Sequence, residues 1–111
     1  MKMYGIPNCD TVKKARSMLA KKKVEFEFVD FKKSPPTKDQ ILRWKEAMGE
    51  WPVNKKGPTF RKVKDEFDAA SDSGKMKLIL EYPSMIKRPI LELDSKSILF
   101  GFDEEVYSHL C

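Results

Sequence analysis

Hydrophobic and polar positions divide this chain into a readable series of elements. Lys2 to Ile6 is a short apolar run and predicts a buried strand. From Asp10 to about Lys22, Val12, Ala15, Met18 and Leu19 recur at helical spacing while lysines and Arg16 face out, which predicts an amphipathic helix. Val24 to Phe31 alternates, with Val24, Phe26, Phe28 and Asp30 on one side and Glu25, Glu27, Val29 and Phe31 on the other. That is the pattern of a second strand. Strand, helix and strand at this length imply a right-handed βαβ unit with parallel strands.

Ser34-Pro35-Pro36 closes that unit. Thr37 with Gln40 makes a capping box, Ile41, Trp44, Lys45 and Met48 mark one face of the helix that follows, and Gly49 stops it. Asn54 to Arg61 reads as a basic loop holding Gly57 and Pro58, and Val63 to Ala70 as a short helix. Ser73 can cap another helix that runs to about Glu81, with Met76, Ile79 and Leu80 inward and Pro83 ending it. Beyond Pro89, Ile90 to Leu93 and Ser97 to Phe100 are strands, and Asp94-Ser95-Lys96 between them suggests a hairpin turn. Asp103 caps a last helix in which Val106, Tyr107 and Leu110 point inward. The order is βαβ, a helical stretch, then ββα. The class is therefore α/β: one domain, 1–111, in which the ββα tail completes a mixed sheet begun by the βαβ unit, with a helical insertion over about 37–82.

Composition narrows the function. A chain of 111 residues suffices for one core. With 41% hydrophobic and 35% charged residues it describes a globular protein with a well-solvated surface. No apolar run approaches the roughly 20 residues a membrane span needs, so no membrane association is expected. The apolar stretch after Met1 is too short for a secretory signal and is broken by Pro7-Asn8, which points to the cytoplasm. The net charge of +5 is modest and spread along the chain, so no nucleic-acid partner is expected. The densest clusters, Lys21-Lys22-Lys23 and Lys32-Lys33, read as solvated ends of elements, or as attraction for anionic substrates or an acidic partner surface. A monomer is expected.

The candidate chemistry centres on Cys9. Two cysteines, Cys9 and Cys111, make no disulfide framework, and no Cys or His stands near Cys9 at metal-ligand spacing, so no metal is expected. A free cysteine is commonly a buried structural residue. Here it follows a Pro-Asn turn and opens a helix, where unpaired N–H groups and the positive end of the macrodipole favour the thiolate, the nucleophilic form. Val12 stands where a Cys-x-x-Cys motif would place its second thiol. A mixed disulfide at Cys9 then needs another thiol: Cys111, the last residue, or an external one such as glutathione. Asn8, Asp10 and Thr11 are ordinary cap residues that can also hold an anion or a glutathione carboxylate, and Lys13 and Lys14 follow one turn on. Arg88 precedes Pro89, and the pair leads into a predicted strand. Sequence alone favours a trans bond there. The Asn54–Lys62 loop carries no Walker spacing; its cations can be solvated or can guide an anionic co-substrate. His109, the lone histidine, is not assigned as a base.

Four segments in order, Tyr4 to Ala15 with its Asn-Cys-Asp-Thr-Val-Lys-Lys-Ala string, Asn54 to Lys62, Ile86-Lys87-Arg88-Pro89-Ile90 and Leu99-Phe100-Gly101-Phe102, resemble the arsenate reductase-like (ArsC/Spx/YffB) family over essentially the whole chain. The resemblance implies a thioredoxin-like fold with a helical insertion, Cys9 as nucleophile, Arg88 beside it, a cis Pro89, and Arg61 or its neighbouring lysines approaching the site. It also implies no bound cofactor, with glutathione as co-substrate of a thiol-disulfide reductase. The branch most resembled is the YffB-like one. Arsenate reductases of the family use a further arginine after the last strand, where Gly101 stands here. Spx-type regulators bind a protein partner, RNA polymerase, and typically carry a Cys-x-x-Cys switch that Val12 removes. Arsenate reduction and an Spx-like protein-binding module are the alternatives.

Overall fold

A computed structural model describes residues 1–94 and 97–110. Its elements run β1 (Lys2–Gly5), α1 (Asp10–Lys21), β2 (Glu27–Asp30), α2 (Lys38–Met48), α3 (Pro58–Ala69), α4 (Asp72–Glu81), a 3-10 turn (Pro83–Met85), β3 (Ile90–Glu92), β4 (Ile98–Phe100) and α5 (Glu104–Ser108). Among the described residues no helix is long and apolar enough to cross a membrane. Two compact units emerge, one made of Met1–Ser34 with the chain from Arg88 onward, the other of Pro35–Lys87. The second unit holds α2, α3, α4 and the 3-10 turn.

The first unit is a mixed four-stranded sheet in the order β2-β1-β3-β4. β1 runs parallel to β2, pairing Lys2 with Glu27 and Gly5 with Asp30, and antiparallel to β3, pairing Tyr4 with Ile90. β3 and β4 are antiparallel, with Ile90 opposite Phe100. The antiparallel pairing of these two strands is as expected; Ser95 and Lys96, where a turn is expected between them, lie outside the described residues. β2 is shorter than the alternation from Val24 to Phe31 predicts. Its ladder starts where β1 starts, at Lys2 opposite Glu27, so the residues before Glu27 lie beyond the paired stretch. Val24 and Phe26 still pack on the core, as their alternation requires.

α1 lays Val12, Ala15 and Leu19 over Met3 and Leu91, and Tyr107 of α5 completes this fully buried cluster. Along β1 the next position faces the opposite side of the sheet: Tyr4 is buried there, its ring 6.2 Å from that of Phe31. Asp103 caps α5 by accepting from the N–H groups of Glu105 and Val106. Val106 is 41% exposed rather than inward. Adjacent helical residues point about 100° apart, and on α5 Tyr107 takes the core side while Val106 turns to solvent. Tyr107 stands edge-on to Phe102 with ring centres 4.9 Å apart, and among the described residues its hydroxyl has no hydrogen-bond partner.

In the helical unit the capping box forms as predicted: Thr37 Oγ1 accepts from the Gln40 N–H, and Gln40 Oε1 accepts from the Thr37 N–H. Gly49 ends α2 at φ +82°, a left-handed conformation suited to glycine. The expected loop over Asn54–Arg61 is helical from Pro58. Gly57 is the N-cap and Pro58 the first helical residue, where a missing N–H costs nothing. The cap of α4 lies two residues before the expected one: Ser71, not Ser73, accepts from the Gly74 N–H. Leu78 is buried with Met76 and Ile79 while Leu80 is half-exposed, because the run Leu78-Ile79-Leu80 is apolar throughout and spacing alone does not choose among them. Phe60 and Phe67 meet edge to face at 5.4 Å within this unit's core. Asn54 and Lys87 anchor the ends of the stretch, donating to the carbonyls of Met85 and Pro52 at 2.8 and 3.0 Å.

Candidate functional site

One end of the sheet gathers most of the expected residues. β1 and β2 end there at Gly5 and Asp30, while β3 begins there after Arg88-Pro89. β4 ends there too, and the Gly101 N–H donates to the Pro89 carbonyl at 2.8 Å. The turn from β1 into α1 lies at the same end, closed by the Cys9 N–H donating to the Ile6 carbonyl at 3.2 Å. The strand register therefore brings Asn8, Cys9, Asp10 and Thr11 to the sheet edge that carries Arg88 and Pro89.

Cys9 is the N-cap of α1, with extended backbone at φ −80° and ψ 126°. Its carbonyl accepts from the Lys13 N–H at 2.9 Å, the first intrahelical bond, but its side chain caps none of the first-turn N–H groups. A serine or aspartate here would use its side-chain oxygen for that bond. The thiol is half-buried and packs against the Met3–Val12–Leu91 cluster, so one flank is apolar and the other open. Asn8 and Asp10 are exposed and Thr11 is half-exposed.

Arg88 is half-buried and Pro89 buried. The Arg88–Pro89 bond is cis, as the resemblance implies and against the trans form that sequence alone favours. Gly101 has φ +76°. A side chain there, such as the arginine of the arsenate reductases, would have to take a left-handed backbone. Lys13 is exposed on α1, where with Met18, Lys21, Phe102 and Glu104 it lines a groove of ≈ 340 Å³. Arg61 and the lysines before it belong to the helical unit, exposed on the first turn of α3 and the turn that precedes it. Cys111 lies outside the described residues. Among those described, no three His, Cys, Asp or Glu side chains come together as a metal ion would need.

Sequence reasoning missed one positioning residue. A Cβ on Gly5 would lie 2.9 Å from Cγ2 of Val12, closer than carbon atoms pack, so glycine lets the first turn of α1 sit directly on the end of β1. A glycine inside a strand pattern is the available signal of such an approach. The same contact explains Val12, which is fully buried against that glycine. The second position of a Cys-x-x-Cys motif is here a piece of core.

The ArsC family model matches residues 4–110. A solved structure of a YffB protein is 38% identical, covers 96% of this chain and 95% of its own, and superposes with a TM-score of 0.84. An arsenate reductase-related protein from Brucella melitensis is 36% identical, with 98% and 94% coverage and a TM-score of 0.76. The global transcriptional regulator Spx of Streptococcus agalactiae is 37% identical over 93% of this chain and 77% of its own. With a thioredoxin-like α/β sheet, a cis proline just before β3 and a cysteine at the N-cap position of the first helix, the chain belongs to the ArsC family.

Proposed function

We propose that this chain is a glutathione-dependent thiol-disulfide reductase working through Cys9 alone. The placement of Cys9 carries the reading: a half-buried thiol at the N-cap of a twelve-residue helix, with no side-chain hydrogen bond to the first turn. A helix N-terminus carries unpaired N–H groups and the positive end of the macrodipole, which favour a bound anion. In the first step the Cys9 thiolate attacks one sulfur of a substrate disulfide. The S–S bond breaks, a Cys9–substrate mixed disulfide forms, and the other sulfur leaves as thiolate and takes a proton from solvent. A glutathione thiolate then attacks the mixed disulfide on Cys9 and frees the second substrate thiol, leaving Cys9 glutathionylated. A second glutathione regenerates the Cys9 thiolate and leaves as glutathione disulfide. Two electrons pass from two glutathiones to one disulfide.

In this reading Arg88 binds a glutathione carboxylate or the thiolate, Asn8, Asp10 and Thr11 shape the mouth, and Lys13 attracts the anionic tripeptide. The buried Pro89 fixes the neighbouring backbone. With valine at position 12 the resolving thiol comes from outside. The test is reduction of a small mixed disulfide by glutathione, coupled to NADPH consumption through glutathione reductase. Wild-type protein turns over and Cys9→Ser does not. Arg88→Ala raises KM for glutathione or lowers kcat by about tenfold or more, the scale of one charge-assisted contact. Turnover that survives Cys9→Ser would end this reading.

The identity to an Spx regulator supports a second reading, a protein-binding module in which Cys9 is dispensable. Full biological activity of the Cys9→Ser chain, with no thiol turnover by the wild type, would select it. The arsenate reductase-related neighbour supports arsenate as another substrate. Gly101 argues against that, because a doubly charged oxyanion would lose one strong charge-assisted contact there.

A further inference from the structure

The helical unit carries a groove that the thiol chemistry does not use. It lies between α2 and α4, has a volume of ≈ 630 Å³, and is floored by Leu42, Trp51, Met76 and Leu80. Leu42 is 50% exposed, an uncommon state for a leucine beside other apolar groups. Lysines stand around this floor. Lys45 places its ammonium 4.7 Å from the centre of the Trp51 ring. Lys38 and Lys77 also line the groove, and among the described residues neither has an ion-pair partner. Two other lysines of this unit are paired, Lys55 with Glu50 at 3.6 Å and Lys64 with Asp68 at 3.4 Å. One carboxylate, Asp72, shares the groove with three cations, and it sits on the positive end of α4.

We propose that this groove docks an acidic amphipathic helix of a partner protein. An apolar stripe on that helix would cover Leu42, Trp51, Met76 and Leu80, and carboxylates flanking the stripe would meet Lys38 and Lys77. The charge pattern selects this occupant. A neutral apolar partner would leave Lys38 and Lys77 unpaired beside a drying surface, and a basic one would be repelled. The surface belongs to the helical unit, so it stands whether or not Cys9 is catalytic.

The probe is a synthetic helical peptide with leucines along one face and glutamates beside them, titrated into the isotopically labelled full chain and followed by NMR. A matched peptide carries lysine in place of each glutamate. The expected result is saturable shifts at Leu42, the Trp51 indole and Leu80 with the glutamate peptide and none with the lysine peptide. The double variant Lys38→Glu with Lys77→Glu, both on exposed lysines, should keep the wild-type circular dichroism, bind the glutamate peptide about tenfold or more weakly, and gain binding to the lysine peptide. Three results overturn the proposal: no saturation up to about 1 mM peptide, equal binding of both peptides, or self-association that Leu42→Asp abolishes, which would give the groove to a second copy of the chain.

Discussion

Tyr107→Phe isolates a single buried hydroxyl. Tyr107 is fully buried in the α1–β1–β3 cluster, and its hydroxyl has no partner among the described residues. A buried polar group without a partner costs about 1–3 kcal/mol of desolvation. Phenylalanine keeps the ring and its edge-on contact with Phe102 while removing that group. We expect the variant to be more stable at neutral pH by about 1 kcal/mol, a rise of about 0.7 M in the urea midpoint for an m-value of about 1.5 kcal/mol/M. Burial also pushes the Tyr107 phenol up to about 12, from 10.0. The folded state therefore holds this proton more tightly than the unfolded state does. The corresponding stability is fully present below pH 10 and is lost as pH rises through 12. Two pH units at about 1.4 kcal/mol each make that loss about 3 kcal/mol. Tyr107→Phe lacks this alkaline limb, so its advantage should roughly double, from about 1 kcal/mol at pH 7 to about 2 kcal/mol at pH 11. Urea unfolding followed by circular dichroism at both pH values measures it, and the phenolate absorbance titration should lose one tyrosine that titrates above the ordinary range. A variant less stable than wild type by about 1 kcal/mol or more at pH 7, with its fold intact, would refute the reasoning, since the hydroxyl would then be hydrogen-bonded.

Three further outcomes follow from the geometry. Gly5→Ala, whose Cβ would meet Val12 at 2.9 Å, should cost about 1–3 kcal/mol in urea unfolding and change the alkylation rate of Cys9, because the first turn of α1 must shift. Thr37→Ala removes half of the α2 capping box and should cost about 1 kcal/mol, read from the thermal midpoint. Gly101→Arg, at φ +76°, should cost about 1–2 kcal/mol in the same assay.

Where local chemistry decides a feature, it was legible in the residues. Thr37 with Gln40 and Gly49 bound α2 as their side chains dictate, and Asp103 caps α5. Where two local rules competed, reading went astray. Lys55-Lys56-Gly57-Pro58 looks like a loop by composition, yet Pro58 is the start signal of α3. Ser71 and Ser73 are equally good caps on paper, and only the Gly74 N–H shows which one is used. The ladder of β2 ends with its neighbour, which no property of Val24 or Phe26 could reveal. The candidate site divides in the same way. Cys9 announces itself by standing after a Pro-Asn turn at a helix start. That Arg88 and Pro89 share its end of the sheet depends on an antiparallel register between residues far apart in the chain. The residue pattern left that distance open, and the family resemblance supplied it.

The unit that carries Cys9 is not continuous in sequence. β1, at the middle of the sheet, hydrogen-bonds to β2 on one side and to β3 on the other, and the whole of Pro35–Lys87 separates β2 from β3. The cysteine thus leaves the ribosome before the arginine and proline that share its end of the sheet, with all of Pro35–Lys87 in between. Until β3 arrives, one edge of β1 stays unpaired and the cluster around Val12 lacks Leu91 and Tyr107. A nascent chain therefore carries the Cys9 thiol before the core that half-buries it is complete, and that flank stays open to solvent until the last strands close the sheet.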